Sequence, residues 1–262
     1  MIKRLTAKHF FSAAAILLAG YRKPITPEFK GEIDLVTEFD RSSEAHIRAE
    51  VARRLSQFDL VAEEGGGTAS GERAVIYADP LDGTTNFSHG HPFFAVSIAV
   101  ASRGVLEVGV VIAPALGWTF SAARELGATR DGERCRVSAI DRIDRALLAT
   151  GFPYDRRTSP QNNLRAFVEI KKRYAQGIRR CGAASIDLCL VADGTYEGYW
   201  EHKLQPWDLA AGAVLVSEAG GQVSAFDGGR ADVTTGDLVA SNGRIHRELL
   251  DALREVEAME PL

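Results

Sequence analysis

The sequence predicts an α/β fold in which the functional residues follow a buried strand. Residues 74–77 are a short apolar run, typical of such a strand, and lead into a turn rich in Asp, Gly and Thr. Residues 93–102 and 105–111 are longer apolar runs joined by Arg103-Gly104, which indicates a hairpin. Alanine-rich and amphipathic segments elsewhere favour helices. Because open α/β sheets place ligand sites at the carboxyl ends of strands, we expect the functional site just after residue 77.

The composition is that of an ordinary globular protein. The chain has 262 residues, of which 45% are apolar and 25% charged, enough for one compact unit or two closely joined halves. The net charge of −4 indicates no general nucleic-acid binding, and we expect no membrane association. Cys135, Cys181 and Cys189 are scattered without a CxxC pair, which favours free thiols and a cytoplasmic location.

The N-terminal segment has two interpretations. Residues 10–19 are apolar and follow a basic start at Lys3 and Arg4, a pattern shared with secretory signals. The apolar stretch is too short to span a bilayer. Because alanine favours helix and Gly20 supplies a stop, we expect an ordinary first helix here in preference to a signal.

Strand and helix alternate before the central turn. Residues 33–36 indicate a short strand, and residues 37–40 hold candidate caps for a helix over residues 41–56. Residues 60–62 are strand-like and end at Glu63 and Glu64, before three glycines; a flexible acidic loop is the simplest interpretation. The helix predicted over residues 41–56 has a partly apolar face, formed by Ala45, Ile47, Val51 and Leu55. Its charged residues are expected to face solvent; they are Arg48, Glu50, Arg53 and Arg54.

The elements after the central turn begin with β-structure. Residues 118–123 extend the two apolar runs into a meander, and residues 131–134 indicate a polar turn. Residues 146–150 mark the start of a second half of the molecule. The remaining predicted elements are a strand over residues 238–241 and helices over residues 159–174, 184–192, 245–256 and from residue 206 onward.

The central turn has the residue types of a phosphate site. Asp79 and Asp82 lie three residues apart, with Pro80 between them and Gly83 directly after. Proline fixes one φ angle, and glycine permits a tight bend against a ligand. The N–H groups of residues 84–86 could then form an anion cradle. Two carboxylates beside such a cradle indicate a metal-assisted phosphate site, although spacing alone leaves a hydrated turn open.

The chain resembles the inositol monophosphatase family of metal-dependent phosphatases. Residues 77–94, YADPLDGTTNFSHGHPFF, meet every position of the family pattern D-P-[IL]-D-G-T-[TS]-N-[FY]. Family-like blocks also occur at residues 34–40 (DLVTEFD), at the glutamate pair after residue 62, at residues 182–184 (GAA) and at residues 207–212 (WDLAAG).

Two positions depart from the family pattern. Ala62 replaces the glycine that usually precedes the glutamate pair. Ala183 stands where the family has a hydroxyl residue, and Ser185 comes two positions later. Whether that serine makes the corresponding contact is left open by the sequence, whereas a backbone contact in this segment is independent of the side chain.

The resemblance implies a layered α-β-α-β-α sandwich that forms a homodimer. Residues 1–262 would be a single unit, with metal and phosphate loops in the half before residue 140 and substrate-hydroxyl contacts in the half after it. It also implies two or three Mg²⁺ ions. Oxygen-only ligands suit Mg²⁺, and the six histidines lack zinc-site spacing.

The resemblance also assigns the metal ligands. Glu63, Asp79 and the backbone carbonyl of Leu81 would hold the first ion, and Asp79, Asp82 and Asp208 the second. Glu63 is also counted with the catalytic residues, and Glu64 is a possible outer-shell residue that binds a water. Without metal, repulsion among these carboxylates should raise some of their pKa values or loosen the loops.

The remaining site residues implied by the resemblance act on water and substrate. Thr84 would orient the attacking water, with Asp40 hydrogen-bonded to that threonine. The N–H groups of Gly83 and Thr84 would receive phosphate oxygens. The substrate hydroxyls would meet Asp82, Ala184 by its backbone, Glu201 and Asp208.

The function implied is Mg²⁺-dependent hydrolysis of a small phosphate monoester, with myo-inositol monophosphate as the leading substrate and inhibition by Li⁺. Residues 85–87, Thr-Asn-Phe, favour this type over the nucleotidase branch, which usually has Lys-Glu-Phe. The alternatives are another phosphatase of the superfamily, acting on fructose 1,6-bisphosphate, histidinol phosphate or a 3′,5′-bisphosphonucleotide, and a regulatory binding protein that retains the fold.

Overall fold

Two large β-sheets alternate with three layers of helices in the computed structural model of the protein, which describes residues 7–29, 31 and 34–259; these residues also form a separate two-stranded sheet. Lys3, Arg4 and Ile33, which entered the predictions above, lie outside the described residues. The described elements up to residue 140 are α1 (Phe11–Gly20), β1 (Glu28–Phe29), β2 (Leu35–Val36), α2 (Glu38–Arg54), β3 (Asp59–Ala62), β4 (Val75–Asp82), α3 (Thr84–Ser88), β5 (Ala95–Ser102), β6 (Val105–Ala113), β7 (Trp118–Ala123), β8 (Gly127–Arg130) and β9 (Glu133–Arg134).

The second half supplies a smaller set of elements. They are β10 (Leu147–Thr150), α4 (Leu164–Arg173), β11 (Gly177–Arg179), α5 (Ala184–Ala192), β12 (Gly198–Glu201), α6 (Pro206–Glu218), β13 (Gln222–Ser224), β14 (Leu238–Ser241) and α7 (His246–Glu257). No helix in the described part of the chain is both long and apolar enough to cross a membrane.

The first sheet has seven strands in the order β3-β4-β5-β6-β7-β8-β9. Strand β3 pairs with β4 in parallel, and each later pair is antiparallel, so the meander predicted over residues 93–123 is confirmed. Side chains of a strand alternate between the two faces. In β4, Val75 and Tyr77 enter one hydrophobic core while Ile76 and Ala78 enter another, which explains why the strand is apolar throughout.

The second sheet has five strands in the order β11-β10-β12-β14-β13. Strand β10 is parallel to β11 and β12, and β14 is antiparallel to β12 and β13. The same alternation divides its side chains, since Tyr199 faces one core and its neighbour Trp200 faces another. Both faces of this sheet are therefore covered.

Three cores join the five layers. Helices α1 and α2 pack on one face of the first sheet, and α5 and α6 lie between the two sheets. Helices α4 and α7 cover the outer face of the second sheet. The order is α-β-α-β-α, so the predicted layered fold is confirmed.

Local chemistry fixes the ends of α1 and α2. The first helix ends at Gly20, as expected, and a Cβ at that position would lie 2.3 Å from Cε1 of Phe39. Helix α2 begins at Glu38, three residues earlier than predicted. The cause is a capping box, in which Thr37 accepts from the N–H of Phe39 while Asp40 accepts from the N–H of Thr37.

The prediction of a helix over residues 159–174 was wrong at the N-terminal end, because α4 begins only at Leu164. Asn163 has φ +65°, which no helix interior accepts, and its amide is buried. That amide donates to Thr150 Oγ1 at 2.7 Å, and its oxygen accepts from Trp200 Nε1 at 2.8 Å. Long-range bonds that sequence does not reveal thus hold the preceding segment out of the helix.

Candidate active site

A cleft of about 1110 Å³ lies between the two halves, at the carboxyl end of β4. Asp40 and Glu64 are the predicted site residues that do not line it. The predicted site residues that do line it are Glu63, Asp79, Leu81, Asp82, Gly83, Thr84, Ala184, Glu201 and Asp208. The structure therefore brings together residues that are far apart in the sequence.

The acidic turn is shaped by a break in strand pairing. The register of β4 with β5 shifts between Asp79 and Asp82, as it does at a β-bulge. The N–H of Leu81 donates to Asp79 Oδ1 at 2.8 Å, which fixes that carboxylate inside the bulge. Gly83 has φ +89°, and a Cβ there would lie 2.9 Å from the carbonyl oxygen of Phe93, so the position requires glycine. Helix α3 starts directly after it, with its first N–H groups without intrahelical acceptors.

A hydrogen-bonded chain connects Thr84 to Asp40. The Thr84 hydroxyl lies 2.9 Å from Asp40 Oδ1 and 3.0 Å from the carbonyl oxygen of Leu81. The other oxygen of Asp40 accepts from the N–H and the hydroxyl of Thr37, at 2.7 and 2.6 Å. Asp40 is fully buried, and that burial raises its pKa despite these bonds. Its position behind the cleft is the reason that it does not line the wall.

Asp82 is held from the second half of the chain. Its Oδ2 accepts from the N–H of Ser185 at 2.8 Å and from the Ser185 hydroxyl at 2.5 Å. The sequence did not decide which group the Ser185 hydroxyl contacts. In the structure this hydroxyl donates to the Asp82 carboxylate. Nearby, the amide of Asn86 donates to the carbonyl oxygens of Phe93 and Cys181, at 2.7 and 2.8 Å. These bonds join the turn to the segment that begins α5.

Asp208 lies in the first turn of α6, where its Oδ2 accepts from the N–H of Gln205 at 2.7 Å. The carbonyl oxygen of the preceding Trp207 accepts from the Ser97 hydroxyl at 2.9 Å, which ties the helix start to β5. Helix α6 also lies very close to the first sheet at Gly109. A capping carboxylate thus reaches the cleft through a helix fixed to the sheet on which Asp79 lies.

The glutamate loop is anchored by α2. Both carboxylate oxygens of Glu44 accept from backbone N–H groups, those of Glu64 and Gly65, each at 2.7 Å. Arg48 donates to Glu44 at 2.7 Å and to the carbonyl oxygen of Gly66 at 2.7 Å. The prediction that Arg48 is merely a solvated charge was therefore wrong. The Glu–Arg pair at i, i+4 was the available signal, but helical spacing alone does not reveal a loop as its second partner.

Glu201 lies at the other end of the cleft and is buried. It accepts a hydrogen bond of 2.5 Å from the Tyr199 hydroxyl. Burial raises the pKa of Glu201 to about 7, and this outweighs the hydrogen bond from Tyr199 and the charge of Arg180, which lower it. A Cβ at Gly151 would lie 2.0 Å from Glu201 Oε2, so this carboxyl is packed directly on backbone.

Asp187 also lines the cleft but was not among the predicted site residues. It lies in α5, whose other residues are small or apolar, and it is 2% exposed. Burial is the main cause of its raised pKa, followed by the charges of Glu201 and Asp82. The signal was present in the sequence, because an acid interrupts the apolar run of residues 184–192.

The acids of the cleft have the chemistry of a cation site. Burial raises the pKa values of Asp79, Asp208 and Asp82, the last to about 6; for Asp79 the charges of Glu63, Asp82 and Asp208 add to the effect. Such crowding favours a positive partner, and the donors are all oxygen, as Mg²⁺ prefers. As they stand, no three acidic, His or Cys side chains of the described residues have the arrangement that holds a metal ion. Each of Asp79, Asp82 and Asp208 has one oxygen bonded to protein donors, so the donor set fits a cation through the second oxygens.

Comparisons with known proteins find one family. The profile of the inositol monophosphatase family matches residues 4–258. Inositol-1-monophosphatase of Synechocystis is 46% identical over 221 residues, 84% of this chain and 77% of that protein. Nus factor SuhB of Pseudomonas aeruginosa is 44% identical over 227 residues, 84% of this chain and 83% of that protein. The solved structure of inositol monophosphatase from Anabaena (Nostoc) has a TM-score of 0.88 at 38% identity, covering 98% of this chain and 95% of that one.

The fold and the relatives are those of a phosphoric monoester hydrolase, an enzyme that acts on small phosphate monoesters. The chain belongs to the inositol monophosphatase family, whose members are generally metal-dependent. The predicted resemblance and the predicted class of enzyme are therefore confirmed.

Proposed function

We propose that this phosphatase hydrolyses small polyol or sugar monophosphates, with myo-inositol monophosphate as the leading substrate and Mg²⁺ as the cofactor. The observation that carries the proposal is the convergence of buried Asp79 and Asp82 with half-buried Asp208 on one cleft, next to the hydroxyl of Thr84. Acids on β4 and α6 and a hydroxyl on α3 supply what phosphate hydrolysis needs, namely charge neutralisation and a positioned water.

The metal ligands that we propose are those that the family resemblance implied. Glu63, Asp79 and the carbonyl oxygen of Leu81 would hold one ion, and Asp79, Asp82 and Asp208 a second; a third ion would be held by the phosphate in part. Bound Mg²⁺ supplies Lewis acidity and neutralises charge on the phosphoryl oxygens and the leaving oxygen. Glu64 belongs to the outer shell, since its N–H is bonded to Glu44 and fixes the loop.

Thr84 and Asp40 would orient the attacking water. The single proton of the Thr84 hydroxyl is directed inward, to Asp40 or to the carbonyl oxygen of Leu81. The lone pairs of the hydroxyl oxygen then remain to accept a hydrogen bond from water on the cleft side. Asp40 acts by holding this orientation from behind, which needs the ionised carboxylate as acceptor.

The phosphate and its leaving group would contact adjoining parts of the cleft. The N–H groups of Gly83 and Thr84, at the start of α3, suit the phosphoryl oxygens. Asp82, Asp208, Glu201 and the backbone of Ala184 would face hydroxyls of the leaving group. The same cleft leaves fructose 1,6-bisphosphate, histidinol phosphate and 3′,5′-bisphosphonucleotides as other candidate substrates.

A substrate panel with Mg²⁺ tests the proposal. We expect the highest kcat/KM with inositol 1-phosphate, and inhibition by millimolar Li⁺ and by excess Ca²⁺, whose larger and looser coordination suits the site poorly. Asp208→Asn should lower kcat by orders of magnitude without unfolding the protein, whereas Asp251→Asn, on the exposed face of α7, should leave it unchanged. Phosphate release at background level for every monophosphate in the panel would refute the proposal.

The protein's assembly and partners form part of the same proposal. We expect a cytoplasmic homodimer, without general nucleic-acid binding, and light scattering on the purified protein measures the assembly. Several relatives are named Nus factor SuhB, which supports a second candidate role as a regulatory binding protein. A pull-down from lysate with the Asp208→Asn variant tests it, because such binding needs no turnover; recovery of no partner above a tag-only control would count against the role.

A further inference from the structure

Asp187 is the one charged residue in α5, a helix whose other residues are small or apolar. Helix α5 lies between the two sheets, and all of its residues are buried. Asp187 is 2% exposed, and its Oδ1 has no hydrogen-bond partner among the described residues. A buried polar atom without a partner costs about 1–3 kcal/mol, more for a charged group. An apolar residue of the same size would avoid that cost, so stability does not account for the aspartate.

The side chain of Asp187 belongs to the wall of the cleft. It lies three residues after Ala184, on the same face of α5, and Ala184 also lines the cleft. The charges of Glu201 and Asp82, which also line the cleft, add to the effect of burial in raising the pKa of Asp187, so both acids are close enough to act on it. The orphaned oxygen therefore lies beside the part of the cleft assigned above to the leaving group.

The surroundings of the two carboxyls determine what they could bind. Glu201 Oε2 already accepts from the Tyr199 hydroxyl. The charge of Arg180 lowers the pKa of both acids, but this residue is exposed, its guanidinium lies 5.8 Å from the Phe152 ring centroid, and among the described residues it forms no ion pair with either acid. The unmet need at this end of the cleft is therefore a hydrogen-bond donor, which the hydroxyl groups of a polyol supply.

We propose that Asp187 is a specificity-determining residue that, together with Glu201, accepts hydrogen bonds from hydroxyl groups of the leaving group. The inference rests on the proposed function and deepens it, since it concerns which phosphate esters the same cleft selects. A leaving group with hydroxyls satisfies the orphaned oxygen, whereas one without them leaves it unpaired in a desolvated site.

Substitution of Asp187 by leucine separates this role from a structural one. Leucine has a similar shape, fills the same space and removes the orphaned oxygen. We expect Asp187→Leu to raise the melting temperature or leave it unchanged, because an unpaired buried acceptor is replaced by an apolar group. We also expect kcat/KM for inositol 1-phosphate to fall about 10- to 100-fold while kcat/KM for 4-nitrophenyl phosphate, whose leaving group carries no aliphatic hydroxyls, changes less than about twofold.

Two further variants sharpen the comparison. Asp187→Asn keeps one carbonyl acceptor and should recover part of the loss with inositol 1-phosphate. Glu197→Gln is the matched control, because Glu197 is equally buried but bonds the N–H of Leu147 outside the cleft wall. It should lower the melting temperature without changing the ratio of kcat/KM for the two substrates.

The outcomes distinguish this inference from the proposed function. If the wild type releases phosphate from neither ester, the proposed function fails. If it cleaves both and Asp187→Leu lowers both equally, or neither, this inference alone is overturned. Binding of free myo-inositol, followed by saturation-transfer NMR, gives a readout without turnover: weaker binding to Asp187→Leu than to the wild type supports the inference, and equal binding overturns it.

Discussion

Gly109→Ala tests whether the close approach of α6 to the first sheet positions Asp208. Gly109 lies in β6, and a Cβ added there would be 2.4 Å from the carbonyl oxygen of Ala211 and 3.1 Å from its Cα. Ala211 is three residues after Asp208 in the same helix. Because the obstructing atom is backbone, a change of side-chain rotamer cannot relieve the contact, and the helix itself must move.

The size of the effect follows from that distance. Ordinary van der Waals contact begins near 3.4 Å, so α6 must withdraw by about 1 Å, the difference from 2.4 Å. Overpacking of this kind costs about 1–3 kcal/mol of stability. A misplacement of about 1 Å in catalytic geometry costs on the order of 100-fold in rate. We therefore expect Gly109→Ala to lower both the free energy of unfolding and kcat/KM.

Urea unfolding followed by circular dichroism measures the first quantity, and phosphate release with Mg²⁺ the second. Gly31→Ala is the control, because among the described residues a Cβ at this exposed glycine would meet only Asp34 Cβ, at 3.8 Å. An unchanged kcat/KM in a Gly109→Ala protein that is destabilised by the expected amount would show that the position of α6 does not limit catalysis. An unchanged stability would refute the packing argument itself.

Three further predictions follow from the site and its support. Ser185→Ala removes the hydroxyl that donates to Asp82, and we expect about a tenfold loss of kcat/KM with Mg²⁺ and a higher Mg²⁺ concentration at half-maximal rate. Thr84→Val keeps the shape but removes the hydroxyl next to Asp40, and kcat should fall about 100-fold or more with little change in the melting temperature. Burial lowers the pKa of His246 to about 4. The unfolded chain therefore binds a proton below pH 6.5 that the folded chain does not, so the stability contributed by neutral His246 is complete above about pH 6.5 and decreases by about 3 kcal/mol toward pH 4, as urea unfolding at several pH values should show.

Each of these has a result that would contradict it. Unchanged Mg²⁺ dependence in Ser185→Ala would mean that the backbone N–H alone fixes the carboxylate. Wild-type turnover in Thr84→Val would remove the threonine from the proposed orientation of water. For His246, replacement by Gln retains a donor and an acceptor for Ser224 and Ser241 but does not titrate. The loss of stability between pH 6.5 and 4 should therefore be smaller in this variant, and an equal loss would assign it to other groups.

The sequence predicts those parts of the structure that local pattern controls. Apolar runs locate β4 to β7, and the strand end at Asp82 locates the acidic turn, because both depend on neighbouring residues. The short strands β11, β12 and β13 escaped prediction, since each contains only one or two apolar residues and therefore no apolar run like that of β14. The hydrogen bond from Ser185 to Asp82 spans 103 residues, and no local signal announces it.

For the candidate site, too, the sequence predicts what local pattern controls and misses what tertiary contacts control. Acid positions were available from motif spacing, but the groups that hold the acids in place were not. Glu44 bonds a loop 20 residues further on, and Asn163 bonds Trp200, 37 residues further on. Such partners are chosen by tertiary packing, which brings together side chains whose own segments are compatible with many alternatives.

The bridge made by Asn86 has a consequence for dissecting the molecule. Its amide connects the carbonyl oxygen of Phe93 to that of Cys181, which lie in different halves of the chain. Cutting the polypeptide near residue 140 would leave Asp79 and Asp82 on one fragment and Asp208 on the other. Neither fragment alone would hold a complete set of acids, so hydrolysis by the mixed fragments would report that they had reassociated.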